Sequence, residues 1–259
     1  MKRALVTGAG GRLGRAMALY LGQRGYAVAV HYAGSAAGAA ETAECIRQAG
    51  GQAKSFQADL LDDRQTETLF REAREGLGGE ITCLVNNASI FEYDTIKTAN
   101  RDLWDRHLQS NLRAPFILTQ AMAAQGLAPE KDTAGEPQAT GVVVNMVDQR
   151  VRKLTPEFMT YTIAKMGLWA MTQTTAQALA PAIRVNAIGP GPTLKGARQT
   201  DAHFANQRAN TVLKRGANPQ DITAALGFIL DAPALTGQLI CIDGGQHLGW
   251  KTPDVLGVE

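Results

Sequence analysis

Short apolar segments rich in β-branched residues alternate with longer segments in which apolar residues recur at helical spacing. The short segments predict strands at residues 3–7, 27–31, 53–58, 81–86, 141–147, 183–188 and 239–242. The longer segments predict helices at residues 13–24, 35–50, 62–77, 101–126, 160–180 and 219–230. This alternation predicts βαβ units in a doubly wound parallel sheet of about seven strands, with helices on both faces. No linker divides the pattern, so we expect a single α/β domain over residues 1–259.

Two polar stretches interrupt the alternation. Residues 128–140 contain two prolines and no periodic pattern, which predicts a surface loop. Residues 193–218 form a longer, weakly apolar stretch late in the chain. Long irregular segments of compact domains are often functional, so we expect 193–218 to be a substrate loop that closes over a bound ligand.

Charge is balanced over the whole chain but not at its N-terminal end. Lys plus Arg total 26 and Asp plus Glu total 24, which argues against general nucleic-acid binding. The first forty residues contain no acidic residue, and their basic residues are Lys2, Arg3, Arg12, Arg15 and Arg24. This end of the chain is therefore suited to an anionic ligand.

The cysteines and the hydropathy of the chain favour a cytoplasmic location. Cys45, Cys83 and Cys241 lie far apart, without metal-ligand or redox spacing, and their odd number argues against a disulfide framework. We expect free thiols in a reducing compartment and no metal site. No apolar run reaches transmembrane length, and the first residues predict a strand rather than a signal peptide. We therefore expect no membrane association.

A glycine-rich turn, TGAGGRLG at residues 7–14, connects the first predicted strand to the first predicted helix. Glycines allow tight backbone geometry and close approach of a pyrophosphate, and a helix N-terminus supplies free N–H groups. A glycine-rich turn that binds nothing is the alternative. The position between a strand and a helix favours dinucleotide binding in a Rossmann fold.

The end of the second strand indicates which dinucleotide is bound. NAD-specific sites usually place an Asp or Glu there for the ribose 2′-hydroxyl. Residues 31–35 read HYAGS, and the first acidic residue is Glu41. A carboxylate would repel a 2′-phosphate, whereas Ser35 at the start of a helix can donate to it. We therefore expect NADP(H), with His31 and Tyr32 either beside the cofactor or only ending a buried strand.

Tyr161 and Lys165 are four residues apart within a predicted helix, so both lie on one face. The pKa of a free tyrosine is about 10, and a neighbouring ammonium lowers it. Tyr161 would then be a general acid that protonates a substrate. On spacing alone, two surface side chains of an amphipathic helix are the simpler interpretation, and the surrounding motifs overturn it.

In their order along the chain, these motifs resemble those of the short-chain dehydrogenase/reductase family. The matching segments are residues 7–14, Asp59-Leu60, Asn86-Asn87-Ala88, Asn111, Tyr161 with Lys165, Asn186 with Pro190-Gly191, and Asp243-Gly244-Gly245. The resemblance implies that Asp59 and Leu60 lie at the adenine of the cofactor. It also implies that Asn111 holds a water in a proton relay to Lys165, which would bind the nicotinamide ribose as well. The expected cofactor-binding residues are Gly8, Arg12, Leu13, Gly14, His31, Tyr32, Ser35, Asp59, Leu60, Asn87, Ala88, Ser89, Tyr161, Lys165, Pro190 and Gly191.

Two departures from the family pattern concern the substrate. The family usually has a glycine where this chain has Arg12 and a serine where it has Asp148, thirteen residues before Tyr161. A serine hydroxyl donates to a ketone oxygen, which an ionised carboxylate cannot do. A carboxylate instead suits a basic pterin ring, whose amino group donates and whose ring nitrogens gain protons. The expected catalytic residues are Asp148, Tyr161, Lys165 and Asn111.

Arg12, Ser89, Phe91 and Asp148 together resemble the pteridine reductase branch, which includes bacterial dihydromonapterin reductases. That resemblance implies a pterin stacked between the nicotinamide and Phe91. With Tyr161, these four residues are the expected substrate-binding set. Each also has a structural interpretation: Phe91 packs a loop, Asp148 caps a turn, or Arg12 pairs with a surface acid. Relatives in that branch often carry an arginine beside the equivalent of Ser35, where this chain has Gly34. We therefore expect either a weaker contact with the 2′-phosphate or its replacement by Arg12 and other basic groups.

The main functional hypothesis is NADPH-dependent reduction of a dihydropterin, such as dihydromonapterin, dihydrobiopterin or dihydrofolate. The alternative enzyme is an NADPH-dependent carbonyl reductase, for instance of a 3-oxoacyl thioester, and Asp148 argues against it. The third hypothesis is a non-catalytic protein that senses NADPH, against which Asn111, Tyr161 and Lys165 argue. The family resemblance also suggests a homotetramer.

Overall fold

The computed structural model describes residues 1–196 and 198–250 of the chain. Its strands are β1 (Arg3–Val6), β2 (Ala27–Tyr32), β3 (Gln52–Gln57), β4 (Cys83–Asn86), β5 (Glu130–Lys131), β6 (Pro137–Gln138), β7 (Gly141–Met146), β8 (Ile183–Pro190) and β9 (Leu239–Ile242). Seven of them form a sheet in the order β3-β2-β1-β4-β7-β8-β9, and all neighbouring pairs are parallel. The predicted doubly wound α/β fold is confirmed.

The helices are α1 (Arg12–Gln23), α2 (Ala36–Gln48), α3 (Asp63–Gly76), α4 (Arg101–Leu108), α5 (Ala114–Ala123), α6 (Met159–Leu179), α7 (Asp201–Ala209) and α8 (Pro219–Asp231). A π-helical turn, Gln109–Arg113, joins α4 to α5, and 3₁₀ turns form at Gln149–Arg152 and Gln246–Leu248. The strand order reverses at β1, which pairs with β2 on one side and β4 on the other. In open α/β sheets, ligands bind at the carboxyl ends of the strands at such a reversal.

Two apolar layers cover the faces of the sheet because successive strand residues point to opposite sides. Val6 and Val144 face α1, α2 and α8, whereas their chain neighbours Leu5 and Val143 face α3, α5 and α6. All four side chains are fully buried. The continuous apolar character of β1 and β7 is what a strand covered on both faces requires.

Three segments differ from the sequence prediction. The predicted helix at 101–126 contains a π-helical turn, so two helices flank Gln109–Arg113. The predicted loop at 128–140 contains a two-stranded antiparallel hairpin of β5 and β6. The substrate loop predicted at 193–218 contains α7, which begins at a Thr200 cap and buries none of its residues. A helix without a buried face has no apolar periodicity, which is why the pattern did not reveal it.

Within residues 1–196 and 198–250, no helix has both the length and the apolar character needed to cross a bilayer. Cys45, Cys83 and Cys241 are free thiols. The same described ranges contain no cluster of three or more His, Cys, Asp or Glu side chains that could hold a metal ion.

Candidate active site

The glycine-rich turn follows β1 and packs too tightly to accept larger residues at two positions. Gly8 has a left-handed backbone, with φ of 63°. A Cβ placed on Gly14 would lie 2.2 Å from the Gly8 carbonyl oxygen. Gly11, by contrast, faces open space, and as N-cap of α1 it supplies no side-chain oxygen to the first N–H groups of that helix. Free N–H groups at an open turn fit a pyrophosphate.

Thr7 braces the turn against the segment that follows β4, a role that the sequence did not suggest. Its buried hydroxyl accepts hydrogen bonds from the N–H groups of Asn87 at 2.8 Å and Ala88 at 2.9 Å. The Asn87 amide donates to the carbonyl oxygen of Thr7 at 2.8 Å. Two predicted cofactor-contacting segments are thereby held side by side.

His31 is almost completely buried at the end of β2, which is one of the two alternatives that the sequence left open. Its side chain is 1% exposed, and its Nδ1 accepts the Gly8 N–H at 3.0 Å while Nε2 lies 3.1 Å from the Ala58 carbonyl oxygen. Burial lowers the pKa of His31 to about 4, so the ring is neutral and Nδ1 is free to accept. His31 therefore supports the glycine-rich turn through hydrogen bonds, and both of its ring nitrogens already have protein partners.

The segment after β2 meets the turn through small residues. A Cβ on Gly38 would lie 2.1 Å from the Gly10 carbonyl oxygen, so α2 approaches the turn closely. Ser35 lies at this junction, and its Oγ is 3.5 Å from the same oxygen. Nothing lies within 4 Å of the position of a Cβ on Gly34. The expected 2′-phosphate position is therefore open.

A cleft of about 750 Å³ runs along these elements. Its walls include thirteen of the predicted site residues: Gly8, Arg12, Leu13, Gly14, His31, Tyr32, Ser35, Asp59, Leu60, Asn87, Ala88, Ser89 and Phe91. Asn111, Asp148, Tyr161, Lys165, Pro190 and Gly191 are not among its lining residues. The volume falls in the usual range for a ligand site, and the tight glycines with free N–H groups fit a dinucleotide.

The predicted catalytic side chains meet beyond the Phe91 end of the cleft. Tyr161 Oη donates to Asp148 Oδ2 at 2.9 Å, and the Tyr161 ring lies edge-on to Phe91 with centroids 4.6 Å apart. Lys165 Nζ donates to the Met146 carbonyl oxygen at 2.7 Å. Tyr161 and Lys165 are 5% and 2% exposed, respectively. The carboxyl end of β7 and the first turns of α6 thus supply one polar cluster.

The pKa of Tyr161 moves opposite to the sequence prediction. Burial, followed by the charge of Asp148 and the hydrogen bond to it, raises the Tyr161 pKa well above its ordinary value. Lys165 was expected to lower it, but its ammonium donates to the Met146 carbonyl. Burial raises the pKa of Asp148, with Arg150 opposing, and lowers the pKa of Lys165 to about 8. Tyr161 is therefore a proton donor held against a carboxyl group.

Asn111 lies in the π-helical turn, and its side chain is fully buried. Its Oδ1 accepts the Ile90 N–H at 3.0 Å, and its Nδ2 donates to the Ile90 carbonyl oxygen at 2.8 Å. Both ends of the amide therefore fix the backbone between Ser89 and Phe91. One N–H of the Asn111 amide remains beyond these two contacts, and its predicted role in holding a relay water stays a prediction.

Arg12 lines the cleft and also contacts the predicted substrate loop, and its expected contacts with phosphates and substrate stay a prediction. Its guanidinium donates to the carbonyl oxygens of Lys195 at 2.8 Å and Leu194 at 3.2 Å. Its backbone is left-handed, with φ of 53°. Non-glycine residues at such φ cost roughly 1–3 kcal/mol, which is why glycine is the ordinary choice here. Arg12 ties the glycine-rich turn to the predicted substrate loop.

Phe91 belongs to an aromatic pair that the sequence did not reveal. Its ring stacks on Phe158, with centroids 4.4 Å apart and planes at 11°. The Arg150 guanidinium lies over the Phe158 ring at 4.8 Å, and the Arg198 guanidinium lies over the Phe91 ring at 5.4 Å. Phe158 immediately precedes α6 and has a left-handed backbone, with φ of 54°. Only the fold brings these four positions together.

Three buried polar side chains next to Tyr161 in the fold are linked by hydrogen bonds. Thr160 Oγ1 donates to Asp94 Oδ2 at 2.5 Å and lies 2.7 Å from His107 Nδ1, and all three side chains are 2% exposed or less. The His107 Nε2 accepts the Glu92 N–H at 3.2 Å. Burial lowers the His107 pKa, consistent with a neutral ring. These contacts fix the first turn of α6, and with it Tyr161.

Comparison with known proteins agrees with this geometry. A family model described as enoyl-(acyl carrier protein) reductase matches residues 8–247. The chain belongs to the short-chain dehydrogenase/reductase family. The resemblance found in the sequence is thus confirmed, and the chain is an oxidoreductase of that family.

Three similar proteins carry names that describe different reductions. The 3-oxoacyl-(acyl-carrier-protein) reductase FabG of Staphylococcus epidermidis is 30% identical over 254 residues, covering 95% of this chain and 99% of its own length. FolM alternative dihydrofolate reductase 1 from Brucella canis, solved with NADP, has a TM-score of 0.90 and 40% identity, covering 98% of this chain and 97% of its own. The angucycline C-6 ketoreductase LanV, solved with bound NADP, has a TM-score of 0.86 and 31% identity, with 96% of each chain covered.

Proposed function

We propose that this short-chain dehydrogenase/reductase reduces a dihydropterin with NADPH, dihydromonapterin, dihydrobiopterin and dihydrofolate being the candidate substrates. The observation that carries the proposal is the carboxyl group of Asp148, 2.9 Å from the Tyr161 hydroxyl, where the family usually has a serine. The similarity to FolM alternative dihydrofolate reductase 1 supports it.

NADP(H) is the cofactor, as expected from the sequence, since similar structures at 31% and 40% identity contain NADP. We assign the pyrophosphate to the turn at Gly8 and Gly14, the 2′-phosphate to Ser35, and the adenine to Asp59 and Leu60. Asn87, Ala88, Ser89, Tyr161, Lys165, Pro190 and Gly191 complete the proposed cofactor site. NADPH supplies a hydride to the substrate, and the protein orients both molecules.

The remaining chemistry falls to the cluster around Tyr161. Its raised pKa keeps the phenol protonated at neutral pH, so it can deliver a proton to a ring nitrogen. The Asp148 carboxyl group orients that phenol and accepts from the amino group of a pterin. Phe91 offers an aromatic face, and Ser89 lines the cleft beside it. Asn111 fixes the Ile90 backbone that connects them.

Carbonyl reduction is the second candidate because FabG and LanV are reductases of 3-oxoacyl and ketone groups by name. NADPH oxidation measured with dihydromonapterin, dihydrobiopterin, dihydrofolate and a 3-oxoacyl thioester separates the two functions. We expect turnover with at least one dihydropterin and little with the thioester. The reverse pattern would replace the pterin assignment by the carbonyl one, and no turnover with any would favour an NADPH-sensing protein.

Cofactor preference should respond to charge at the open end of β2. NADPH should give a higher kcat/KM than NADH because residues 31–35 lack a carboxylate. Ala33→Asp should shift the preference toward NADH by repelling the 2′-phosphate. Gly34→Arg should strengthen NADPH binding, since a side chain fits there and the Gly34 backbone is not left-handed. Equal use of both cofactors by the unmodified protein would contradict the assignment.

The pH dependence of kcat/KM should follow the protonation state of Lys165. Burial lowers its pKa to about 8, so the ammonium is present below that pH and is lost as the pH rises through it. We expect kcat/KM for NADPH to fall above about pH 8, because the neutral amine donates less strongly to the cofactor ribose. Lys165→Arg should remove this basic limb, since arginine stays charged. A wild-type profile that is flat to pH 10 would exclude Lys165 as the titrating group.

The single-domain organisation over 1–259, the homotetramer and the cytoplasmic location stay predictions. Limited proteolysis, light scattering and cell fractionation test them in turn.

A further inference from the structure

The aromatic pair formed by Phe91 and Phe158 is flanked by two cations, Arg150 and Arg198. Arg198 lies over both rings, 5.4 Å from the Phe91 centroid and 5.8 Å from the Phe158 centroid, and donates to the Phe91 carbonyl oxygen at 2.5 Å. Arg150 donates to Thr155 Oγ1 at 2.9 Å. Across the described ranges, neither guanidinium comes within 4 Å of an Asp or Glu oxygen.

Other basic residues near the substrate loop have their charged groups held by acceptors within the loop. Arg208 donates four hydrogen bonds to residues 192 and 216–218, which fixes its guanidinium inside the loop. Lys195 pairs with Asp201 and Arg215 with Asp221. Arg150 and Arg198 each keep guanidinium N–H groups beyond the contacts described, and Arg198 is exposed to solvent.

These two cations lie next to the catalytic cluster. Phe91 is 43% exposed and meets Tyr161 edge-on, and Phe158 directly precedes α6. The charge of Arg150 acts on the pKa of both Asp148 and Tyr161, so its guanidinium is electrostatically close to the reacting groups. A substrate held at Tyr161 that extends toward solvent along this pair therefore meets an aromatic surface and then positive charge.

We propose that Arg150 and Arg198 bind the carboxylates of an aromatic side chain carried by the dihydropterin, so that the site prefers folate-type substrates to dihydropterins with an uncharged side chain. The inference rests on the proposed dihydropterin reduction and selects among its candidate substrates. An aromatic side chain can pack against the exposed part of the Phe91–Phe158 pair, and guanidinium groups bind carboxylates through paired N–H donors. An uncharged polyol side chain would leave both cations without a counter-charge.

The test compares two substrates in the wild-type protein and in variants of Arg198. For dihydrofolate and dihydrobiopterin, the kcat/KM ratio is measured in the wild-type protein, in Arg198→Gln and in Arg198→Lys. We expect Arg198→Gln to lower the dihydrofolate-to-dihydrobiopterin ratio by roughly threefold to tenfold, mainly through KM for dihydrofolate. Arg198→Lys should recover part of the ratio because it restores the charge. Arg71→Gln, an exposed arginine on α3, is the matched control and should leave the ratio unchanged.

Calorimetric titration adds a readout that does not depend on turnover. With NADP⁺ present, oxidised folate should bind the wild-type protein more tightly than biopterin, and Arg198→Gln should reduce that difference. Added salt should weaken folate binding more than biopterin binding. If both dihydropterins are reduced and Arg198→Gln leaves the ratio and the folate affinity unchanged, the inference alone is wrong. If the wild-type protein reduces dihydromonapterin but not dihydrofolate, the inference alone is wrong; if it reduces none of the three dihydropterins, the proposed function fails and the inference fails with it.

Discussion

Tyr161→Phe should lower the rate of dihydropterin reduction by roughly a hundredfold or more, the usual effect of losing a general acid. The phenol is 5% exposed, and its hydroxyl donates to Asp148 Oδ2 at 2.9 Å. Phenylalanine retains the edge-on contact with Phe91, so the packing of the ring is kept. What disappears is the proton that burial and Asp148 hold on the oxygen at neutral pH.

Two measurements separate loss of chemistry from loss of structure. The affinity for NADPH, measured by fluorescence titration, should change little in Tyr161→Phe, because the ring and Lys165 remain. Tyr20→Phe is the matched control, since it removes a hydroxyl that meets Arg24 on the surface of α1. It should leave turnover near the wild-type rate. Near-normal turnover in Tyr161→Phe would show that another group supplies the proton.

The strands of the sheet could be predicted because each is marked by a short run of consecutive residues. Strands such as β1 and β7 are runs of apolar residues covered by helices on both sides, so composition alone marks them. The π-helical turn at Gln109–Arg113 has no comparable signature. Within this turn Asn111 accepts from the Ile90 N–H, a contact across twenty-one residues that no spacing rule contains. Helix α7 was not predicted because it buries none of its residues and so has no apolar periodicity.

The sequence predicted which residues form the candidate site better than it predicted which groups those residues contact. Asp148 and Tyr161 were expected to act together, and the structure brings their oxygens within hydrogen-bond distance. The expected direction of the Tyr161 pKa was wrong because burial, and then Asp148, raise it, and spacing on a helix reveals neither effect nor where the Lys165 ammonium points. In the structure the ammonium donates to Met146. Arg12 was assigned to the cofactor and substrate by the family resemblance, which does not reveal that its guanidinium also donates to two carbonyl oxygens 182 and 183 residues away in the chain.

Nothing in the sequence indicated that Phe158 and Arg198 belong to the candidate site. They contact Phe91 from positions 67 and 107 residues away in the chain, and neither lies in a motif. A stack of this kind depends on how α6 and the substrate loop are placed over the sheet. Sequence could predict that Phe91 has an aromatic role, but its partners required the fold.

Asp148→Ser should separate pterin reduction from carbonyl reduction in a single variant. Pterin reduction should drop by roughly tenfold or more, because the amino group of the ring loses a charged acceptor and Tyr161 loses its partner. Reduction of a 3-oxoacyl thioester should hold steady or improve, since a hydroxyl donor then faces the developing oxyanion. Turnover with both substrates is measured in one preparation, so partial unfolding cannot produce opposite changes.

The structural role of Asp148 makes serine the appropriate replacement. Asp148 Oδ1 accepts the Arg150 N–H at 2.8 Å and so caps the 3₁₀ turn at Gln149–Arg152. Serine is also a good capping residue, so the turn should persist while the carboxyl group is lost. Asp148→Asn is the matched control, because it keeps the cap and the size of the side chain but not the charge. If pterin reduction survives in both variants, Asp148 does no more than cap the turn, and the pterin assignment loses the observation that carries it.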